Sequence, residues 1–183
     1  MTGSLWARLR IALLLVVAVV IETTFGADLR VLGIAPDLML LIAVSGGLVC
    51  GPTAGAWIGF FAGLIADLTL TTTPLGLSAL AWCVVGWGIG TLRAYLLPDG
   101  RAARPAIAFL ATIGAILLFL VVGELVGQTE LAAPGRAWLI RLVLVEGLWN
   151  ALLIIPAVAA LSWAARGLPS VEELGRPETV ASR

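Results

Sequence analysis

The chain has 183 residues, 61% hydrophobic and 12% charged, a composition outside the range of a water-soluble globular domain, so a soluble enzyme is excluded. Its 11 basic residues, all arginine, balance 11 acidic ones, and without a basic excess nucleic acid is excluded as a partner. With no His and no Lys, a His-based triad, a His-ligated metal, a P-loop lysine and a Schiff base are excluded too, and no cofactor or metal is expected.

A helix crosses the roughly 30 Å hydrocarbon core in about 20 residues, so six crossings use about 120 and leave no room for a separate soluble domain. The first apolar run, Ile11–Ile21, follows Arg8 and Arg10 as in a signal peptide. No A-x-A site follows and further apolar segments do, which predicts an uncleaved span. The second run, Leu38–Cys50, is introduced by Ala35-Pro36-Asp37, with Pro36 suited to the first helical turn and Asp37 to the positive end of the helix dipole. Gly51-Pro52 breaks the chain, and a third run extends from Thr53 to Leu70. These two runs are short and their shared turn is uncharged. They predict a glycine-rich hairpin that either crosses thinly or re-enters, returning the chain to the same side in both cases. Leu75–Leu97, Ala103–Gly127 and Ala137–Ala165 complete six segments. Pro98-Asp99-Gly100 reads as a turn, and Ser170 with Glu173 as a cap in the polar tail. Cys50 and Cys83, inside apolar runs, read as packing residues. The predicted fold is all-α: one integral membrane domain over residues 1–165 with about six transmembrane helices, and a polar cytoplasmic tail over 166–183.

Arginines set the orientation. With the N-terminus inside, Arg8, Arg10, Arg93, Arg101, Arg104, Arg166, Arg176 and Arg183 are cytoplasmic, and only Arg30 and Arg136 lie in outer loops. The excess of Lys and Arg in cytoplasmic loops therefore predicts that both termini are cytoplasmic.

The most patterned stretch is Gly51, Gly55, Gly59 and Gly63, continued by Asp67. Four residues advance a helix by about 400°, so these glycines form a drifting ridge that another backbone can approach closely. Either a helix of the same chain packs there or a partner's membrane helix docks there. Gly59→Leu is expected to be harmful on both readings and Gly59→Ala milder.

Charges inside a membrane need a partner or a water-filled cavity. By depth, Asp67 and Glu124 end outward-running segments, and Arg141 lies one turn into an inward-running one, which predicts that Arg141 is held by one or both acids. Glu146 and Asn150, one turn apart, share a face deeper in the last segment and are suited to hydrogen-bond each other or a neighbouring helix. An intramembrane aspartyl peptidase would use Asp37 and Asp67 as a carboxylate pair to activate water. Asp37 is, however, already required as a helix cap, and nothing else marks a peptide site. A substrate-capture subunit of a vitamin or small-molecule transporter, also built from about six helices, is the alternative from a different class. The alanine pair four apart that such a subunit presents to its coupling partner is not found in the first segment.

Gly33-Ile34-Ala35-Pro36-Asp37-Leu38, then Gly51-Pro52, then GAWIGFFAGLIAD from Gly55 to Asp67, then Pro74-Leu75-Gly76-Leu77, resembles the rod shape-determining MreD family in order and spacing. The resemblance covers about residues 11–97, with the second half similar mainly in hydropathy. It implies a non-catalytic subunit of the wall-elongation complex in the bacterial inner membrane, surrounded by membrane lipids and bound to MreC. Through MreC it implies links to MreB, a RodA-type glycosyltransferase and a penicillin-binding transpeptidase. It also implies the six-helix architecture of the vitamin-capture subunits.

Overall fold

The computed structural model describes residues 2–69, 74–95, 100–128 and 135–168. Among these residues the chain forms five α-helices: α1 (Thr2–Phe25), α2 (Leu38–Thr69), α3 (Leu77–Tyr95), α4 (Arg104–Leu125) and α5 (Arg136–Ala164). The count is five rather than six because the second and third expected segments run together through Gly51 with no intervening loop. Gly51 adopts φ 82°, ψ −176°, a conformation open in practice to glycine alone, and Pro52 begins the next turn, where its missing N–H leaves no helical bond unmade. The expected turn at Pro98-Asp99 and the cap at Ser170 and Glu173 lie outside the described residues, as do Arg176 and Arg183.

The two arms of α2 fold back on each other. Residues eight apart in a straight helix are separated by about 12 Å along its axis. Here a Cβ built on Gly55 would lie 2.7 Å from the Cα of Gly47, and one on Gly46 would lie 3.1 Å from the Ile58 side chain. The first arm is the centre of the molecule: every residue from Met39 to Leu48 is buried, as expected of a helix apolar all round. α2 touches each of the other four helices, and the core is completed by Leu15 of α1, Trp82 of α3, Ala108 and Ala115 of α4, and Ile154 and Leu161 of α5.

The opposite faces of the outer helices are apolar and exposed at helical spacing. Leu110, Leu117 and Val121 of α4 and Leu144, Leu148 and Leu152 of α5 belong to this surface. Such a surface suits hydrocarbon and not water. By length and composition, α2, α3, α4 and α5 are long and apolar enough to cross a membrane, although α2 divides its 32 residues between two arms. Among the described residues α1 is not one of these candidates, and it carries Arg8, Arg10 and Glu22 around its apolar middle.

At the start of α2 the Leu40 N–H donates to Asp37 Oδ1 at 2.8 Å, so Asp37 caps the helix. Pro36 precedes the cap and is buried there. It does not occupy the first helical turn, because α2 begins only at Leu38.

Candidate functional site

The glycine series lies against α3, running antiparallel to it. A Cβ on Gly63 would fall on the backbone of Ser78 and Ala79, one on Gly59 on the Trp82 carbonyl, and one on Gly55 2.6 Å from the Gly86 carbonyl oxygen. At the fold of the hairpin the partner is reversed: a Cβ on Gly90 would meet the Gly51 carbonyl carbon and the Pro52 nitrogen at 2.5–2.6 Å. Gly47 of the first arm joins the same seam, facing the Gly86 carbonyl. Every one of these neighbours is backbone, which cannot rotate away. A single methyl at Gly59 therefore meets main chain, so Gly59→Ala is not absorbed without cost, though it adds less bulk there than leucine.

Asp67 closes the far end of this seam. It is 4% exposed, and its Oδ2 accepts from the N–H of Gly76 (2.8 Å) and Ala79 (3.2 Å) while Oδ1 accepts from that of Ser78 (3.1 Å). The first turn of α3 has N–H groups with no intrahelical acceptor, and the residue at its capping position is Gly76, which has no side-chain oxygen to offer. A carboxylate from the neighbouring helix supplies the cap, where the helix dipole also favours negative charge. Gly76, at φ +100°, turns its N–H toward that carboxylate, and the Pro74 carbonyl accepts the Leu77 N–H at 3.2 Å.

These bonds correct two expectations. Arg141 is exposed on α5 and Glu124 is exposed in the last turn of α4, and among the described residues no ion pair joins Arg141 to Asp67 or Glu124. Both Asp67 oxygens are already occupied by α3, and a long arginine side chain near a helix end reaches interfacial water on its own. Asp37 and Asp67, for their part, are each committed to a different helix N-terminus and share no hydrogen bond among the described residues. The arrangement of a water-activating carboxylate pair is not formed.

Deeper in the bundle, Asn150, 1% exposed, donates from Nδ2 to Thr112 Oγ1 at 3.0 Å, and that hydroxyl donates to the Ala108 carbonyl at 2.9 Å. Asn150 thus bonds α5 to α4 and not to Glu146. Glu146 is buried on α5, within electrostatic reach of Asp37 ahead of α2 and of Glu22 on α1. Burial raises the Asp37 carboxyl from 3.8 to about 7, against the opposing pull of the Leu40 and Met39 N–H groups. Among the described residues no group of three His, Cys, Asp or Glu is placed to hold a metal ion. Nothing in the sequence marks Glu22 or Thr112. Glu22 lies in the last turn of α1, where a charge passes for interfacial, and a threonine in an apolar run carries no pattern of its own.

The seam, its hinge at Gly51 and its latch at Asp67 account for the order of the sequence motifs, and the comparison with known families covers more of the chain than they do. A model of the family described as rod shape-determining protein MreD matches residues 4–162. The chain belongs to the MreD family. No curated protein and no solved structure matches it. In this MreD family member the stretch ending at Asp67 and the stretch from Pro74 to Leu77 form one structural unit, because the carboxylate of the first caps the helix that the second begins.

Proposed function

We propose that this rod shape-determining membrane protein is a non-catalytic subunit of the bacterial wall-elongation complex. It lies in the inner membrane with both termini cytoplasmic, binds MreC, and is linked through it to MreB, a RodA-type glycosyltransferase and a penicillin-binding transpeptidase. The observation that carries this reading is the family match over residues 4–162. Supporting it, the two aspartates best placed for chemistry are both engaged as helix caps. A helix cap contributes by fixing where a helix starts and needs no substrate.

Purification of the full chain from bacterial membranes in mild detergent, with identification of co-purifying proteins and small molecules, tests the proposal. MreC and wall-elongation enzymes are expected. A coupling ATPase module or a bound vitamin in their place would overturn it in favour of substrate capture. For the topology, Ala102→Cys in a background lacking Cys50 and Cys83 should resist an impermeant thiol reagent in intact cells, and labelling there would reverse the orientation. Asp37→Asn and Asp67→Asn should lower the yield of folded protein. Loss of a membrane-substrate cleavage at unchanged protein level would instead identify a peptidase.

A further inference from the structure

Beside α1, the second arm of α2 and the end of α3 lies a cavity of about 1420 Å³, larger than the roughly 300–1,000 Å³ that suits a drug-sized molecule. Its lining is segregated along its length. Arg8 comes from the start of α1, Thr53 from the start of the second arm, and Thr91 and Tyr95 from the end of α3. These positions share one end of the bundle: Gly90 packs on Pro52 at the hairpin fold, and α1 runs away from that end to bring Glu22 near Asp37. Beyond them the wall is apolar, with Leu15 and Val16 on one side and Trp57, Phe61 and Ile65 on the other. Trp57 and Phe61 stack at 6.1 Å between ring centroids, and both are exposed.

From Thr53 to Ile65 the groove runs along about 18 Å of helix. A transmembrane helix needs a groove matching the whole hydrocarbon core of roughly 30 Å, whereas one leaflet occupies about half of that. Charge complementarity points the same way. Arg10 is engaged, its guanidinium 5.3 Å over the Trp163 ring, whereas Arg8 is exposed at the mouth of the groove with no ion pair among the described residues. An arginine fork matches a phosphate with two parallel hydrogen bonds, and a tyrosine at the same end of the groove suits headgroup depth.

We propose that this groove holds one anionic phospholipid of the leaflet on the Arg8 side, its phosphate on the Arg8 guanidinium and its acyl chains along Trp57, Phe61 and Ile65. The site does not depend on which partners the protein has. The full chain, purified and stripped of lipid in detergent, would be titrated with phosphatidylglycerol and with phosphatidylcholine, and retained lipid counted by native mass spectrometry. One phosphatidylglycerol should be retained in preference to phosphatidylcholine. Ala12→Trp, on an exposed groove-lining position, should weaken its retention about tenfold by filling the groove, and Val16→Trp, one turn deeper, should do the same. Arg8→Gln should reduce phosphatidylglycerol to the level of phosphatidylcholine, while Arg8→Lys keeps part of the preference. All these side chains are exposed, so melting temperatures should hold, and retention is compared only among variants that melt with the wild type. Equal retention of the two lipids by the wild type, or unchanged retention after both tryptophan substitutions, would overturn the site and leave only the lipid that coats any membrane protein. A photo-crosslinker at Ala12 that captures a protein helix in cells would also overturn it.

Discussion

Where α2 meets α3, backbone rests on backbone; where α4 meets α5, a ring and a hydrogen bond stand between the helices. Gly55, Gly59 and Gly63 bring the second arm of α2 onto the carbonyls of Gly86, Trp82 and Ser78. On α5, by contrast, Gly147 makes room for the Phe109 ring of α4, and Asn150 reaches Thr112. In lipid, apolar side chains gain little by leaving their surroundings, so helices associate through close packing and hydrogen bonds. The two contacts use these two means separately. Close packing of main chain tolerates no added atom. A ring can shift and a hydrogen bond in a membrane is worth little, so the second contact should absorb change that the first does not.

The largest test of that contrast is Gly59→Leu, which should leave little or no folded protein in detergent. Gly59→Ala should still cost about 1–3 kcal/mol in thermal unfolding, the usual range for overpacking, because its methyl meets main chain. A Gly59→Leu protein of wild-type stability that fails to bind MreC would assign the ridge to a partner instead. Next in size is Asp67→Ala, which strips three N–H groups of their acceptor and should cost about 2–3 kcal/mol, with Asp67→Asn losing less. Across the other contact, Thr112→Val and Asn150→Leu should each cost about 1 kcal/mol, and a double-mutant cycle should return a coupling of about 0.6 kcal/mol, as for hydrogen bonds between other membrane helices. A coupling above about 2 kcal/mol would erase the distinction between the two contacts. Smallest is Gly114→Ala on α4, where a Cβ meets nothing within 4 Å. It should be neutral or gain up to about 1 kcal/mol from the lower backbone entropy of alanine.

The spacing of the glycines is visible in the sequence and announces a surface for close approach, but not whose backbone lies on it. That depends on α3 returning alongside, which no residue within the ridge encodes. The break at Gly51-Pro52 is legible because both residue types punctuate a helix for known steric reasons. That the break needs no loop is not legible, since it follows from a single unusual φ, ψ pair. The Arg141 expectation fails on competition. Depth along the chain places Asp67 at the right level, but the unmet N–H groups of α3 lie across a connection and are spatial neighbours only after folding. That Glu22, Asp37 and Glu146 come within electrostatic reach of one another is hidden for the same reason, since they lie at the end of α1, ahead of α2 and on α5.

The first arm of α2 has a consequence for how the molecule is made. From Leu38 to Cys50 it offers about 20 Å of helix, too short to cross the hydrocarbon alone, and most of what encloses it is later in the chain. A ribosome delivers this arm before α3, α4 and α5 exist. Its uncovered state during synthesis is mismatched to the bilayer and leaves the small residues of its seam without a partner, so the insertion machinery should retain it until α3 arrives. Chains arrested before Leu77 should therefore be cleared by membrane proteolysis, while chains arrested after Tyr95 should survive it.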